Sequence, residues 1–247
     1  MLGALRLLTR DPKEFYRRVS LRLRGGYPPV IKPEFQRQFG MTVPEWLYHH
    51  QREVIKKRQV SWMGVPLLKC VLDAWIYQEI LCEVRPDVVV EIGSWAGGST
   101  LYFAHLLDLL GHGQVVSVDI DRTDYRVAHP RIVEVTGDSG SPEVVAQVGR
   151  ICEGKSGLVL HDGAHGRDQV LRDLHAYSPF VSVGSYLIVE DGIIDAFLPG
   201  KGLSDLAEGP LCAVEAFLRQ RSDFIPDPVR ERYLITYNPQ GYLKRIA

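Results

Sequence analysis

Residues 87–100 read DVVVEIGSWAGGST, and the reading of this stretch decides the fold. Val88, Val89, Val90 and Ile92 surround a single acid, Glu91. A near-continuous apolar run of this length suits a parallel strand buried on both faces. Small residues follow (Gly93, Ser94, Ala96, Gly97, Gly98 and Ser99), and then Leu101, Phe103, Ala104, Leu106 and Leu107 begin a helical period. The stretch is therefore a strand, a tight glycine turn and a helix N-terminus. Glycine has no Cβ to hold a ligand away from the backbone. The helix start adds free N–H groups and a partial positive charge. Together these features predict a nucleotide-type cofactor site.

The alternation repeats downstream. Residues 115–120 form a second strand ending in Asp119, and Ile132–Thr136 a third that runs into Asp138 and Ser139. Gly157–His161 is a fourth, ending at Asp162, and 185–189 a fifth, ending at Glu190 and Asp191. Helical stretches at 100–110, 142–153 and 169–178 lie between them. Strand–helix–strand repetition predicts an α/β fold with a doubly wound, mostly parallel sheet. Ligands of such sheets bind outside the carboxyl ends of the strands, where each of these acids falls.

Upstream, Leu72, Trp75, Ile76, Glu79 and Ile80 keep a helical period that should stop before Pro86. The corner from Trp62 to Pro66 either lies over the cofactor turn or packs as core. Residues 34–59 read as a peripheral helical segment. Residues 1–26 are basic and amphipathic, with Arg6, Arg10, Lys13, Arg17, Arg18, Arg22 and Arg24 among leucines and aromatics. That pattern suits a helix touching an anionic membrane surface or a partner, or equally a solvated helix packed on its own domain. Residues 27–33, YPPVIKP, make a stiff linker. Beyond the fifth strand, the Gly- and Pro-rich residues 192–210 form a long loop, a candidate lid. A helix at 213–220 follows, and 223–225 with 233–237 could close the sheet as an antiparallel hairpin.

Composition narrows the function. The 247 residues suffice for one large domain, or one with an N-terminal extension; the division falls at 1–59 and 60–247. A net charge of −1 gives no overall reason to expect nucleic acid. Cys70, Cys82, Cys152 and Cys212 form no CxxC pair, which argues against zinc and for a reducing, cytoplasmic setting. Apolar runs are strand-sized, too short to cross a bilayer. Any membrane contact would be peripheral, at the inner face, through the basic N-terminus.

Dinucleotide enzymes need GxGxxG after the first strand, and the bulky Trp95 and Ala96 interrupt that pattern. No lysine follows the glycines, so a P-loop is excluded as well. The spacing from Glu91 through Gly93, Gly97 and Gly98 to Ser99 resembles motif I of class I S-adenosylmethionine-dependent methyltransferases. Asp119 suits a ribose diol, since a carboxylate accepts from both hydroxyls. Asp138 and Ser139 would lie near the adenine edge. Taken singly, each acid could also be a helix cap.

At the other end of the site, strands four and five bring Asp162, Glu190 and Asp191 together. Three carboxylates at one place repel unless a cation neutralises them, and oxygen ligands favour Mg²⁺; capping or solvation is the alternative. His165 follows Asp162 by three residues, so one helical turn aims both the same way and makes His165 a candidate base. His161 reads as packed or hydrogen-bonded, and His129 as structural.

Trp62-x-Gly64, Lys69-Cys70-x-x-Asp73-x-Trp75-x-Tyr77-Gln78-Glu79, Arg85-Pro86-Asp87, the turn from Glu91 to Ser99 and Val189-Glu190-Asp191 together resemble the cephalosporin hydroxylase family. That family includes rhamnosyl O-methyltransferases and is similar to the macrolide-sugar O-methyltransferases. The likeness covers roughly residues 60–237. It implies a Rossmann-like class I methyltransferase domain with a seven-stranded sheet behind an N-terminal helical extension. It also implies S-adenosylmethionine and Mg²⁺ as cofactors. The metal aspartate, its partner histidine and the Glu-Asp pair of the sugar enzymes map onto Asp162, His165, Glu190 and Asp191. The cofactor residues map onto Glu91, Gly93, Ser94, Gly97, Gly98, Ser99 and Asp119. The expected activity is Mg²⁺-dependent methyl transfer to a sugar hydroxyl of a glycosylated metabolite, polysaccharide or glycolipid, by a homo-oligomer. The word hydroxylase keeps oxidation open, although no flavin, NAD or two-His-one-carboxylate iron pattern is visible. A non-catalytic, cofactor-binding partner of another enzyme is the third reading.

Overall fold

In the computed structural model, which describes residues 12–23, 32–33, 40–197 and 206–247, the chain divides into two compact units, residues 1–46 and 47–247. Helix α1 (Pro12–Leu23) belongs to the first. Helix α2 (Val43–His49) opens on a capping box. The Thr42 N–H donates to Glu45 Oε2 at 2.7 Å, and the Glu45 N–H donates back to Thr42 Oγ1 at 3.4 Å. Residues 1–11 and 24–31 of the basic segment and linker, 34–39 of the peripheral segment and 198–205 of the candidate lid lie outside the described residues.

In the second unit a π-helical turn (His50–Ile55) precedes a short hairpin of β1 (Ser61–Trp62) and β2 (Val65–Pro66). Helix α3 (Val71–Val84) follows, and Arg85 ends it in the left-handed conformation just before Pro86. All five strands expected from the sequence form: β3 (Val88–Ile92), β4 (Gln114–Asp119), β5 (Ile132–Thr136), β6 (Gly157–His161) and β7 (Tyr186–Val189). Between and after them run α4 (Gly98–Leu110), α5 (Pro142–Cys152), α6 (Arg167–Tyr177) and α7 (Pro210–Gln220). With β8 (Phe224–Pro226) and β9 (Tyr242–Arg245) the sheet has seven strands in the order β5-β4-β3-β6-β7-β9-β8. Strands β3 to β7 pair in parallel, and β9 is antiparallel to both its neighbours.

The period-two alternation of the strands splits the core into two layers. Val88, Val90 and Ile92 of β3 pack on the side of α5, α6 and α7, among Val148, Leu174 and Phe217. Val89 faces the other way, onto Ile76, Ile80, Phe103 and Leu107 of α3 and α4. Glu91 has the same parity as Val89, and so it too points at the start of α4. The order in which strands are laid down reverses at β3: β4 and β5 lie to one side and β6 and β7 to the other. The crevice between the ends of β3 and β6 is therefore the switch point where ligands of this architecture bind.

The closing hairpin uses a different second strand from the one the sequence suggests. Residues 233–237 form no strand. Thr236 Oγ1 and the Tyr237 N–H donate to the buried Asp73 carboxylate at 2.6 and 2.8 Å, which takes this stretch out of any ladder. Residues Tyr242–Arg245 pair with β8 instead, and the Tyr242 hydroxyl reaches the same Asp73 at 2.8 Å.

The glycine turn packs against protein. Gly93, at φ +86°, leaves no room for a side chain, because a Cβ there would stand 2.0 Å from the Asp162 carbonyl oxygen. A Cβ on Gly98 would meet the Pro66 carbonyl at 2.3 Å. These glycines serve the close approach of one segment to another, where the sequence suggested room for a ligand. Gly64 has nearly the same φ, +85°, with open space around it. Gly64→Ala should therefore cost only the roughly 1 kcal/mol of a left-handed alanine. Gly93→Ala should cost about 3 kcal/mol or more, because backbone must also move. Thermal unfolding of the two variants checks this, and equal losses would contradict it.

Candidate active site

A cavity of about 480 Å³ lies at the switch point. Its floor is the turn after β3. The Gly93 N–H donates to the Val118 carbonyl at 2.8 Å and the Asp162 N–H to the Ile92 carbonyl at 2.8 Å, so neighbouring strand ends lock the turn from both sides. Asp119, at the end of β4, accepts from the Ser94 and Trp95 N–H groups through Oδ2 at 2.8 and 2.7 Å. Half of the expected ribose acceptor is thus occupied in shaping the turn, which leaves Oδ1 with one long bond from the Asp121 N–H at 3.2 Å. Trp95 is left-handed at φ +41°, a backbone state that non-glycine residues adopt chiefly where function or context demands it. Arg122 fastens the same turn through the Ser94 hydroxyl at 2.8 Å.

Most of the predicted donor-side residues meet here. Gly93, Ser94, Gly98, Ser99, Asp119, Asp138 and Ser139 line the cavity; Gly97 and Glu91 stand behind it. Asp138 is tied to Arg172 at 2.9 Å, and Ser139 donates to Asp173 at 2.7 Å. Glu91 is fully buried. Thr100 donates to its Oε2, whereas Oε1 has no partner. Burial raises its pKa against the pull of Lys69 and the nearby hydroxyls.

The chemical end is organised by a residue to which sequence reasoning gave no role. Lys69, buried to 2% exposure, donates to Asp162 Oδ2 at 2.6 Å and to Glu190 Oε1 at 2.7 Å. Burial would lower its pKa, but the charges of Asp162, Glu190 and Glu91 overcome that and hold it above the usual lysine range. Its signal was a lone charge inside the apolar run Leu67-Leu68-Lys69-Cys70-Val71-Leu72. A charge so placed needs a buried partner. The repulsion that suggested a metal is therefore relieved, for two of the three carboxylates, by the protein itself. Glu190 sits on Lys69 outside the cavity lining; its pKa is raised by burial and by Asp162. Asp162 moves down despite its burial, because Lys69 and His165 stabilise its charge.

The potential ligand atoms of Asp162, His165 and Asp191 lie within 4.8 Å of one another, and all three residues line the cavity. His165 Nε2 is 3.0 Å from Asp191 Oδ2 and 3.8 Å from Asp162 Oδ1, too far out of line to be satisfied by either. Burial pulls the imidazole pKa down, but the two carboxylates win and push it up to about 10. In this state His165 is an imidazolium at neutral pH. His161, in contrast, is buried on Asp173 at 3.2 Å, and His129 pairs with Asp108 at 3.0 Å. Trp62 points away from the cavity, its indole N–H donating to His105 at 3.0 Å and its ring edge-on to Tyr102.

The profile of the family described as rhamnosyl O-methyltransferase/CmcI matches residues 55–246. The chain belongs to that family. With the membership comes its class, the S-adenosylmethionine-dependent O-methyltransferases. A rhamnosyl O-methyltransferase of Mycobacterium leprae is 36% identical over 194 residues, covering 75% of this chain and 82% of that one. The Mycobacterium bovis protein of the same name is 32% identical over 200 residues, covering 76% and 78%. Among solved structures, CmcI with Mg and SAM superposes with a TM-score of 0.61 at 19% identity over 90% of each chain. Its apo-structure gives 0.59 at 20% identity, also over 90% of each. These superpositions establish a shared fold.

Lys69 is the family-motif residue whose removal should be felt most. Lys69→Met leaves Asp162 and Glu190 buried without their counter-ion, which should cost about 3–5 kcal/mol at neutral pH. The variant should regain stability as pH falls, because two buried carboxylates with raised pKa values take up protons on folding. In the native chain the pKa of Asp162 is lowered, so its contribution is complete throughout this range and fades only as pH falls below the ordinary carboxylate value of 3.8. Urea unfolding of both chains at pH 8 and pH 5 measures the difference in stability, which should narrow towards pH 5; a difference that does not change with pH would contradict the pairing.

Proposed function

We propose that this methyltransferase acts on a sugar hydroxyl, that of a rhamnosyl group first among candidates, with a divalent cation, Mg²⁺, held by Asp162 and Asp191. One observation carries the reading: a single cavity has the glycine turn at one end and the Asp162–His165–Asp191 cluster at the other. The names of the curated relatives supply the sugar.

The residues fit both groups. On the donor side, the turn offers backbone N–H groups at the start of α4, and Asp119 Oδ1, with its one long bond, is an acceptor on the cavity lining. On the cation side, Lys69 reaches Asp162 and Glu190, and among the described residues Asp191 has the His165 imidazole beside it at 3.0 Å. Two carboxylates that face a cavity suit a hard ion that keeps several water or substrate oxygens. When bound, the donor supplies an electrophilic methyl group and the cation acidifies the acceptor hydroxyl.

The chain's own residues do the rest. Asp119 holds the turn and so fixes the donor end, while Lys69 holds Asp162 against its neighbour. Distance and direction between the two ends are set by backbone bonds between strand termini, which is how a fold supplies proximity. His165 stands where an acceptor proton has to leave. Its Nε2 becomes free to accept a proton only when the charges of Asp162 and Asp191 are otherwise balanced, since those charges are what hold the imidazole protonated. The cluster holds one imidazole and two carboxylates, a donor set that does not match the two-His-one-carboxylate pattern of oxygenases.

The test is incubation with S-adenosylmethionine, Mg²⁺ and a panel of rhamnosyl acceptors, followed by mass spectrometry. Addition of one methyl group, abolished by chelator, is the expected result. His165→Ala should lower kcat by roughly 10²- to 10⁴-fold while S-adenosylhomocysteine still binds. Full turnover in chelator would remove the cation, and full turnover of the variant would remove the base.

A further inference from the structure

Among the described residues, two buried polar atoms without a hydrogen-bond partner belong to side chains that line the cavity: His165 Nε2 and Gln51 Oε1. The acids beside it account for the first. The second is used by nothing described above.

Gln51 lies in the π-helical turn His50–Ile55. Such turns are rare and concentrate at functional sites. This one is anchored differently at its two ends. At its start, His50 Nδ1 lies 2.7 Å from the Tyr237 hydroxyl. The Tyr237 carbonyl accepts from the Ile193 N–H at 3.0 Å, and Asn238 Oδ1 accepts from the Asp191 N–H at 3.2 Å. That anchor belongs to the acid end of the cavity. Past its other end, Arg58 stacks over the Trp95 ring at 4.8 Å, on the donor turn. Ile55 also lines the cavity. Gln51, the residue after His50, lines the same cavity as Asp162, His165 and Asp191.

We propose that Gln51 orients the acceptor sugar, its side-chain amide hydrogen-bonding the hydroxyl next to the one that is methylated. The proposal rests on the sugar-methylation reading above. A carboxamide both donates and accepts, as a hydroxyl does, so one residue can fix a hydroxyl's position and direction. It carries no charge and so does not compete with Asp162 and Asp191 for a cation. A buried acceptor without a partner is unfavourable until something fills the place, and a site of this kind rejects an analogue that lacks the matching hydroxyl.

The experiment compares the native chain with Gln51→Met, a substitution of similar length without polar atoms. The acceptors are 4-nitrophenyl α-L-rhamnopyranoside and its monodeoxy analogues, and S-adenosylhomocysteine binding is followed by calorimetry. The native chain should prefer the full rhamnoside by about tenfold or more in kcat/KM over the analogue lacking the neighbouring hydroxyl. Gln51→Met should erase that preference and keep S-adenosylhomocysteine affinity within about twofold, which also reports an intact fold. A preference that survives in Gln51→Met overturns the assignment to Gln51 alone, as does weakened S-adenosylhomocysteine binding with the preference intact. Absence of transfer by the native chain to any of the rhamnosides overturns the sugar reading and this assignment together.

Discussion

Asp162 and Glu190 stand at the ends of neighbouring parallel strands, and both reach one buried ammonium, that of Lys69. The arrangement follows from the sheet. Parallel strands at a switch point deliver their carboxyl ends to one place, and this chain puts an acid at each of the two ends beside the crevice. Buried carboxylates at such proximity cannot both stay ionised without a counter-charge. Lys69 comes from outside the βα scaffold, on the segment between β2 and α3, and supplies that charge. Lys69 is consumed by Asp162 and Glu190, and Asp191 on the far side lines the cavity with His165 Nε2 at 3.0 Å from its Oδ2.

The donor end shows the same economy of backbone. Asp119 spends one oxygen on two N–H groups of the turn, and Gly93 is glycine because the Asp162 carbonyl occupies the space of its Cβ. The cofactor end and the chemical end are thus in direct backbone contact through Gly93 and Asp162. A change at either residue is felt at both ends of the cavity, and on the proposed function these two strand termini set donor against acceptor.

Much of this was legible in the sequence for a physical reason. Buried parallel strands must be apolar along their whole length, so β3, β4 and β6 announce themselves, and acids at their ends are conspicuous against that background. The resemblance to the rhamnosyl O-methyltransferase group was legible as well, and the family match bears it out. What stayed hidden depends on contacts distant in sequence. The second strand of the closing hairpin was misplaced because the competition came from Asp73, more than 160 positions earlier, which binds Thr236 and Tyr237. Lys69 was visible in a motif, but its two partners lie 93 and 121 residues away. Glu190 and Asp191 are adjacent in sequence and read as one unit, whereas the chain turns left-handed at Asp191 (φ +59°) after β7 has ended, and one side chain goes to Lys69 and the other to the cavity. Gln51 carried no sequence signal, since a glutamine in a polar helical segment is ordinarily a solvated one.

The central claim is a division of labour among the acids: Lys69 neutralises Asp162 and Glu190 from behind, and the cation site faces the cavity from Asp162 and Asp191. A crystal structure grown with Mn²⁺ and S-adenosylhomocysteine, with the metal located by its anomalous scattering, tests this directly. The account predicts one Mn²⁺ bound by Asp162 and Asp191, with Glu190 still on Lys69. A metal ligated by Glu190 with Lys69 displaced, or no metal at these carboxylates, would contradict it.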